Sequence, residues 1–210
     1  VKGGGILQYF KVKLGVDEDG EETTGLLRRP RRAPRNDSME LGDFSIQLAG
    51  KHNISNALAV IAASIELGIE LVDIRKYLSE FTGTARRMEV MGEFRGATII
   101  DDYAHHPTEI KATLEGARQI YKDKKIIVVF HPHTFTRTKA LLDDFAKSFN
   151  DADKMIVLDI YGSAREKQGG VHSRDLVHKV KSQKSKVKIN YIPTLKECEE
   201  YLRKNIERGD

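Results

Sequence analysis

The chain has very little of several residue types that often dictate a fold. Its 210 residues include one cysteine, five prolines and no tryptophan. A single cysteine, Cys198, excludes an internal disulfide framework and is best suited to a reduced, cytoplasmic setting. Because the residues around it follow a polar helical pattern, we expect a partly exposed structural thiol.

Long hydrophobic runs are also missing from the sequence. No stretch approaches the roughly 20 apolar residues that a membrane-spanning helix needs. The first ten residues lack the charged head and apolar run of a signal peptide. Apolar residues still make up 40% of the chain and charged residues 31%, which is the balance of a globular protein with a core. We therefore predict no membrane partner.

The positive charge is concentrated in one place. The formal net charge is +4, and five arginines fall in the run Arg-Arg-Pro-Arg-Arg-Ala-Pro-Arg at residues 28–35. The rest of the chain is close to neutral, so the charge does not describe a nucleic-acid-binding surface. We interpret the run as a polyproline-like loop and predict no nucleic-acid partner.

The first part of the chain predicts a small mixed unit. Gln8 to Leu14 and Phe44 to Leu48 are candidate strands, the second with clear alternation of apolar and polar residues. A helix is expected after Gly50, ending at a left-handed Gly68, and a shorter one over Val72 to Phe81. The pattern breaks at Gly83, where we place a domain boundary.

From about residue 86 onward, short apolar strands alternate with amphipathic helices. This alternation indicates repeated βαβ units and a parallel sheet covered on both faces. The last helix should be followed by another strand, so we expect that the sequence is truncated at its end. The expected elements are strand 97–100, helix 107–121, strand 125–130, helix 138–149, strand 155–158, a helix from about 173, strand 187–191 and helix 194–206.

Polar side chains cluster directly after three of these strands. The segments are Asp101–Pro107, His131–Arg137 and Asp159–Glu166. Ligands of an open parallel sheet bind at the carboxyl ends of its strands, so these segments should converge on one rim. One polar strand end alone would be ordinary helix capping, as Pro107 at a helix start illustrates. Three such ends favour a binding site.

Two chemistries fit this rim, and spacing alone does not decide between them. One is metal-assisted hydrolysis, because histidines and aspartates are metal-ligand types. The other is a clamp for a small ligand, because guanidinium groups bind carboxylate or phosphate bidentately. The candidate metal ligands are Asp101, Asp102, His105, His106, His131 and His133, and the candidate clamp residues are Arg86, Arg87, Tyr103, His105 and Arg137.

Five motifs, in the same order along the chain, resemble those of the Mur ligase family. The resemblance covers roughly residues 44–210, while residues 1–42 match poorly, and the third to fifth motifs resemble the alanine-adding branch in particular. The motifs are Gly-Lys-His-Asn-Ile-Ser-Asn-Ala at 50–57, Phe-Thr-Gly-Thr-Ala-Arg-Arg-Met-Glu at 81–89, Asp-Asp-Tyr-Ala-His-His-Pro-Thr-Glu at 101–109, His-Pro-His-Thr-Phe-Thr-Arg-Thr at 131–138, and Asp-Ile-Tyr with Ala-Arg-Glu at 159–166.

The resemblance implies an α/β fold with two parts. Residues 1–84 would be the carboxyl-terminal part of a central ATPase domain, and residues 85–210 a truncated, Rossmann-like carboxyl-terminal domain. The implied reaction is the ATP-dependent addition of L-alanine to UDP-N-acetylmuramate through an acyl phosphate. ATP and Mg²⁺ are the implied cofactors, with their main ligands expected upstream, because the chain has no phosphate loop. The chain alone is therefore expected to be inactive.

The resemblance also implies roles for individual residues. Contacts to ATP are implied for His52, Asn53, Asn56, Arg86, Arg87 and Asp102, with the last at the ribose. The alanine site is implied for Tyr103, His105, His133 and Arg137, and no metal ligand is expected in this chain. His131 stands where the family often has glutamine, and Thr134 where some members carry a second arginine. Arg137 is therefore the main candidate for the alanine carboxylate.

Other interpretations remain open at this stage. His52 and Asn53 could cap a helix, since asparagine is a preferred capping residue. Arg86 and Arg87 could be a solvated charge pair. For the function, one alternative is the related ligase that recycles murein tripeptide, which has a similar histidine-proline loop. The other alternative is a metal-dependent hydrolase that uses the histidines and aspartates of the strand ends.

Overall fold

A computed structural model gives the structure and describes residues 8–14, 39–183 and 185–206. The arginine-rich run at 28–35, with the interpretation attached to it, lies outside these ranges. The chain divides into two compact units, Val1–Gly83 and Thr84–Asp210. Among the described residues, no helix is both long and apolar enough to cross a membrane.

The first unit packs two helices on a two-stranded antiparallel sheet. Strands β1 (Gln8–Leu14) and β2 (Met39–Ile46) are followed by helices α1 (Lys51–Glu66) and α2 (Leu71–Glu80). Burial of apolar side chains from all four elements holds the unit together. They are Val12, Leu41, Phe44, Ile46, Ala57, Ile61, Ile74 and Leu78.

Glycines mark both ends of α1, as the sequence predicts. Gly50 precedes the helix with φ of 95°, and Gly68 follows it with φ of 78°, a conformation that only glycine adopts without cost. At Gly50 a Cβ would also lie 2.6 Å from the His52 ring. The chain therefore brings His52 against its own backbone at the start of the helix.

The second unit contains the predicted parallel sheet. Strands β5, β6 and β7 are neighbours in that order and run parallel, which confirms the α/β class. The elements in chain order are β3 (Glu89–Phe94), β4 (Ala97–Asp101), α3 (Pro107–Ile120), β5 (Ile127–Phe130), α4 (Phe135–Ala140), α5 (Leu142–Lys147), β6 (Lys154–Val157), α6 (Ser173–Ser182), β7 (Lys188–Tyr191) and α7 (Leu195–Asn205).

The main core of this unit lies between the parallel sheet and helices α3, α5 and α6. Three aromatic side chains, Phe130, Phe145 and Phe149, pack together at its centre. A smaller cluster joins Ile156 and Leu158 to Cys198 of α7. The expectation of a partly exposed thiol was wrong: Cys198 is 3% exposed, and burial raises the pKa of its thiol.

Strand β4 departs from the expected parallel arrangement. It pairs with β3 in an antiparallel hairpin, and β5 is not its hydrogen-bonded neighbour. The two-residue turn, Arg95-Gly96, has positive φ at both positions (52° and 83°), as in the tight turns that suit hairpins. This local pairing was not predicted because β3 does not alternate between apolar and polar residues.

Candidate functional site

The loops that follow β5 and β6 are joined by backbone hydrogen bonds. The Thr134 amide donates to the Tyr161 carbonyl, and the Tyr161 amide donates to the Pro132 carbonyl, both at 2.8 Å. His133 and Tyr161 form an isolated parallel bridge. Two of the three polar strand ends thus meet at one edge of the sheet.

The loop after β5 turns into α4 earlier than the sequence indicates. Thr134 adopts a positive φ of 69°, and its hydroxyl accepts a hydrogen bond from the Arg137 amide at 3.4 Å. This cap begins a helix at Phe135 rather than at Thr138. Arg137 therefore lies in the first turn of α4, on a fixed backbone.

The Arg137 side chain is unusual within the described part of the chain. Its Nη1 atom is buried, and no hydrogen-bond partner for it is found among the described residues. A buried donor without a partner costs free energy, because it has lost its hydrogen bonds to water. An anionic ligand such as a carboxylate would satisfy this donor.

Both histidines of the His-x-His segment pack on one tyrosine. The ring centroids of His131 and His133 lie 5.8 and 5.6 Å from that of Tyr161. Desolvation lowers the pKa of His131; the nearby Asp159 carboxylate opposes this effect, and His133 adds to it. The imidazoles thus pack against an aromatic ring in this site.

The absence of a metal site in this chain stays a prediction. In the part of the chain that the structure describes, no group of three or more histidine, cysteine, aspartate or glutamate side chains is placed to hold a metal ion. We expect the purified, dialysed protein to contain far less than one equivalent of zinc or manganese, as elemental analysis would measure. Near-stoichiometric metal that is lost in a His131→Ala, His133→Ala variant would contradict this prediction.

Asp102 organises the end of β4. Its carboxylate accepts hydrogen bonds from the amides of Met88 and Ala104, at 2.9 and 2.8 Å, and from the Thr113 hydroxyl at 3.2 Å. These bonds tie the segment before β3, the loop after β4 and the middle of α3 to the strand end. Asp102 thus has a structural role in addition to the ribose contact that the resemblance implies.

Arg86 and Arg87 lie beside the ring of Tyr103. Their guanidinium carbons are 4.9 and 5.9 Å from its centroid, and Arg86 Nε lies 3.0 Å from Asp101 Oδ2. The Tyr103 side chain is 50% exposed. The two arginines are exposed, as a solvated pair would be, but the aromatic ring and Asp101 give them a defined position.

The His105 side chain also contacts Tyr103. Its Nδ1 atom lies 3.0 Å from the Tyr103 carbonyl, and its ring meets the Tyr103 ring edge-on at 5.2 Å.

Partial burial raises the pKa of Glu109, but hydrogen bonds from the His105 and His106 amides outweigh this and lower it. Glu109 and His106 form a capping box on α3, so His106 is a capping residue.

A groove of about 360 Å³ lies between β4, α3 and β5. Asp101 and Asp102 line it from one side, and Phe130, the last residue of β5, from the other. Of the predicted ligand-contacting residues, Asp102 lines this groove, whereas Tyr103, His105, His133 and Arg137 are not among its lining residues. The predicted residues of this unit form two clusters: Arg86, Arg87, Asp102, Tyr103 and His105 at the end of β4, and His131, His133 and Arg137 at the end of β5.

The predicted nucleotide contacts of the first unit lie in the first two turns of α1. Asn53 donates from Nδ2 to the Ala49 carbonyl at 2.7 Å, and Asn56 donates to Asn53 Oδ1 at 3.4 Å. The capping interpretation was wrong, because the residue before the helix is Gly50 and no side chain caps it. His52 and Asn56 are exposed, whereas Asn53 is half-buried.

One important residue was not singled out from the sequence. The Glu166 carboxylate accepts hydrogen bonds from the amides of Phe135, Thr136 and Ser163 and from the Thr136 hydroxyl. Desolvation raises the pKa of Glu166, but these hydrogen bonds outweigh it and lower the pKa to about 2. No local pattern reveals this, since the partners in α4 lie about 30 residues away.

Comparison with known proteins identifies the class. Residues 86–210 match the family described as Mur ligase, glutamate ligase domain, and the chain belongs to the Mur ligase family. It is 48% identical over 170 residues to a UDP-N-acetylmuramate–L-alanine ligase of Caldanaerobacter subterraneus, covering 81% of this chain and 36% of that protein. A ligase of the same name from Levilactobacillus brevis is 54% identical over 140 residues, covering 67% of this chain and 31% of the relative.

Solved structures agree with this placement. A UDP-N-acetylmuramate–alanine ligase from Thermotoga maritima superposes with a TM-score of 0.65 at 27% identity, covering 82% of this chain and 37% of that one. A murein peptide ligase from Psychrobacter arcticus gives 0.61 at 25% identity, covering 80% and 34%. The predicted family is confirmed, and the chain spans about a third of the length of these relatives.

Proposed function

We propose that this chain supplies the amino-acid-binding part of an ATP-dependent ligase that joins L-alanine to UDP-N-acetylmuramate. The observation that carries the proposal is the buried Arg137 Nη1 atom without a partner among the described residues, at the start of α4. A carboxylate would complete its hydrogen bonding. The names of the similar ligases support L-alanine as the source of that carboxylate.

The reaction needs an activated acid, because a carboxylate at neutral pH is a poor electrophile. ATP supplies the activation by phosphorylating the UDP-sugar carboxylate, with Mg²⁺ neutralising charge on the phosphates. The amine of L-alanine then attacks the acyl phosphate and phosphate leaves. The sequence shows no phosphate loop, so the phosphate cradle and the magnesium ligands would come from other parts of the ligase.

The residues of this chain would bind and orient the substrates. Arg137 would hold the carboxylate of L-alanine and so fix the direction of its amine, with His133 nearby at the end of β5. Tyr103 and His105, which follow β4, would complete the alanine site. Contacts to ATP are proposed for His52, Asn53, Asn56, Arg86, Arg87 and Asp102.

A second candidate is the recycling of murein peptides. The likeness to the Psychrobacter murein peptide ligase supports it at the level of fold. The relatives that are 46–54% identical are instead named for alanine addition, which favours free L-alanine. The two functions are distinguished by offering free L-alanine or murein tripeptide as the amine substrate and measuring which one is joined, and by measuring which of the two binds.

The test is to place this chain in a complete ligase framework. Residues 44–210 would replace the matching segment of the Caldanaerobacter relative, and we expect the chimera to join L-alanine to UDP-N-acetylmuramate. The 210-residue chain alone is expected to show no ATP hydrolysis above background, because it has no phosphate loop. A folded chimera that uses the tripeptide but not L-alanine would overturn the assignment of L-alanine as the substrate. ATP hydrolysis by the 210-residue chain alone would contradict the proposal that the phosphate-binding part of the ligase lies outside it.

A further inference from the structure

We propose that Glu166 is a positioning residue of the amino-acid site, acting on Arg137 through the first turn of α4. The inference rests on the proposed function, since it concerns how the L-alanine site is held. Glu166 does not belong to the residues implied by the resemblance to contact substrate. Its role follows from the four hydrogen bonds that its carboxylate accepts.

The two carboxylate oxygens hold two loops together. Oε1 accepts from the Phe135 amide at 3.1 Å and from the Ser163 amide at 2.9 Å. Oε2 accepts from the amide and the hydroxyl of Thr136, at 3.0 and 2.9 Å. The loop after β6 is therefore joined to the start of α4 through one side chain.

The position of these bonds connects them with Arg137. Thr136 directly precedes Arg137, and two of the four bonds end on Thr136. The Arg137 amide itself donates to the Thr134 hydroxyl, and the Arg137 carbonyl accepts from the Leu141 amide. Because its backbone is held by these bonds, the Arg137 side chain has fewer orientations to lose when a ligand binds.

The charge of Glu166 fits this role. Four donors already fill its acceptor positions, so the carboxylate is used within the loops and Arg137 remains available to an anion. With a pKa of about 2, Glu166 stays ionised throughout the neutral range. The four hydrogen bonds to Glu166 should therefore not change with pH in the neutral range.

A matched control lies elsewhere in the same unit. Glu197 accepts hydrogen bonds from the amide and hydroxyl of Thr194, at 3.3 and 2.9 Å, in the capping box of α7. Like Glu166 it accepts hydrogen bonds from a threonine, but that threonine lies only three residues before it. A purely structural helix cap predicts the same consequences for both glutamates, whereas a positioning role predicts an effect on ligand binding at Glu166 alone.

The experiment measures L-alanine binding to the 210-residue chain by NMR titration, for the wild type and for Glu166→Gln, Glu197→Gln and Arg137→Ala. Glutamine keeps the size of glutamate but turns one acceptor into a donor that faces amide N–H groups. We expect Glu166→Gln to raise the Kd for L-alanine roughly tenfold, because the Arg137 side chain would then have to be ordered when the ligand binds. Glu197→Gln should change the Kd by less than about twofold, because it lies on another helix.

A milder variant protects the test against misfolding. Thr136→Val removes only the hydroxyl donor to Glu166, and we expect the Kd to rise about threefold, in the same direction as Glu166→Gln. The Arg137 Nε resonance should shift in both variants without ligand but not in Glu197→Gln. Unchanged L-alanine binding in folded Glu166→Gln and Thr136→Val would overturn the positioning role.

The outcomes separate this inference from the proposed function. If Arg137→Ala weakens L-alanine binding while the Glu166 and Thr136 variants do not, the site stands and the inference is wrong. If the wild type binds no L-alanine, or Arg137→Ala binds it normally, the proposed amino-acid site is wrong and the positioning role falls with it. Equal losses of binding in Glu166→Gln and Glu197→Gln would reduce Glu166 to a structural cap.

Discussion

Replacing Arg137 with alanine is expected to raise the apparent KM for L-alanine, or to lower kcat, by about tenfold to a hundredfold in the chimeric ligase. A charge-assisted hydrogen bond contributes about 1.5–3 kcal/mol, which corresponds to that factor. Arg137 should make this contact because its Nη1 atom is buried and finds no partner among the described residues. Steady-state kinetics with each substrate varied in turn would measure the effect.

The specificity of the loss matters more than its size. The KM for UDP-N-acetylmuramate should stay nearly unchanged, because Arg137 is assigned to the amino acid alone. Arg203→Ala is the matched control, since Arg203 is an exposed arginine on α7, outside the three polar strand ends. If the Arg137 variant keeps normal alanine kinetics but loses affinity for ATP or the UDP-sugar, the assignment of this strand end to L-alanine is wrong.

Local sequence patterns predicted most of the elements around the site. The start of α3 is an example, because Pro107 and Glu109 indicate a helix beginning that needs no distant partner. The burial of the β6 side chains follows from their apolar sequence in the same way. The end of β5 is likewise indicated by its apolar run, although only Phe130, its last residue, is buried.

Contacts between distant segments could not be predicted in this way. Three of the four bonds to Glu166 come from Phe135 and Thr136, about 30 residues away, and a glutamate in a polar loop carries no local sign of them. The pairing of β3 with β4 depends on positive φ at Arg95, which is uncommon for a residue other than glycine. Such features are set by tertiary packing rather than by a residue pattern.

The His-x-His segment shows what a spacing does not reveal. His131 and His133 have the residue types and proximity of metal ligands, and the sequence alone left a metal site open. In the structure both rings pack on Tyr161, which comes from the neighbouring loop. The spacing of the two histidines was visible in the sequence, but the tyrosine that contacts both was not.

Replacing Phe145 with alanine is expected to lower the free energy of unfolding of the second unit by about 3–5 kcal/mol. Phe145 is 1% exposed, and its ring centroid lies 5.4 Å from that of Phe130. The substitution removes buried apolar area and leaves a cavity that the surrounding helices fill only in part. Urea denaturation followed by circular dichroism would measure the change.

The control for this prediction is Phe81→Ala, which changes the same residue type where 45% of it is exposed. It should cost less than about 1 kcal/mol, as surface substitutions usually do. Phe81 lies in the first unit, so its variant should leave the unfolding of the second unit unchanged. A loss of less than about 1 kcal/mol in Phe145→Ala would show that the aromatic cluster does not dominate the stability of the second unit. Phe145 packs on Phe130, which directly precedes His131, so the Phe145 variant should also loosen the end of β5. Amide hydrogen exchange at residues 131–137 should then increase more than in the Phe81 variant.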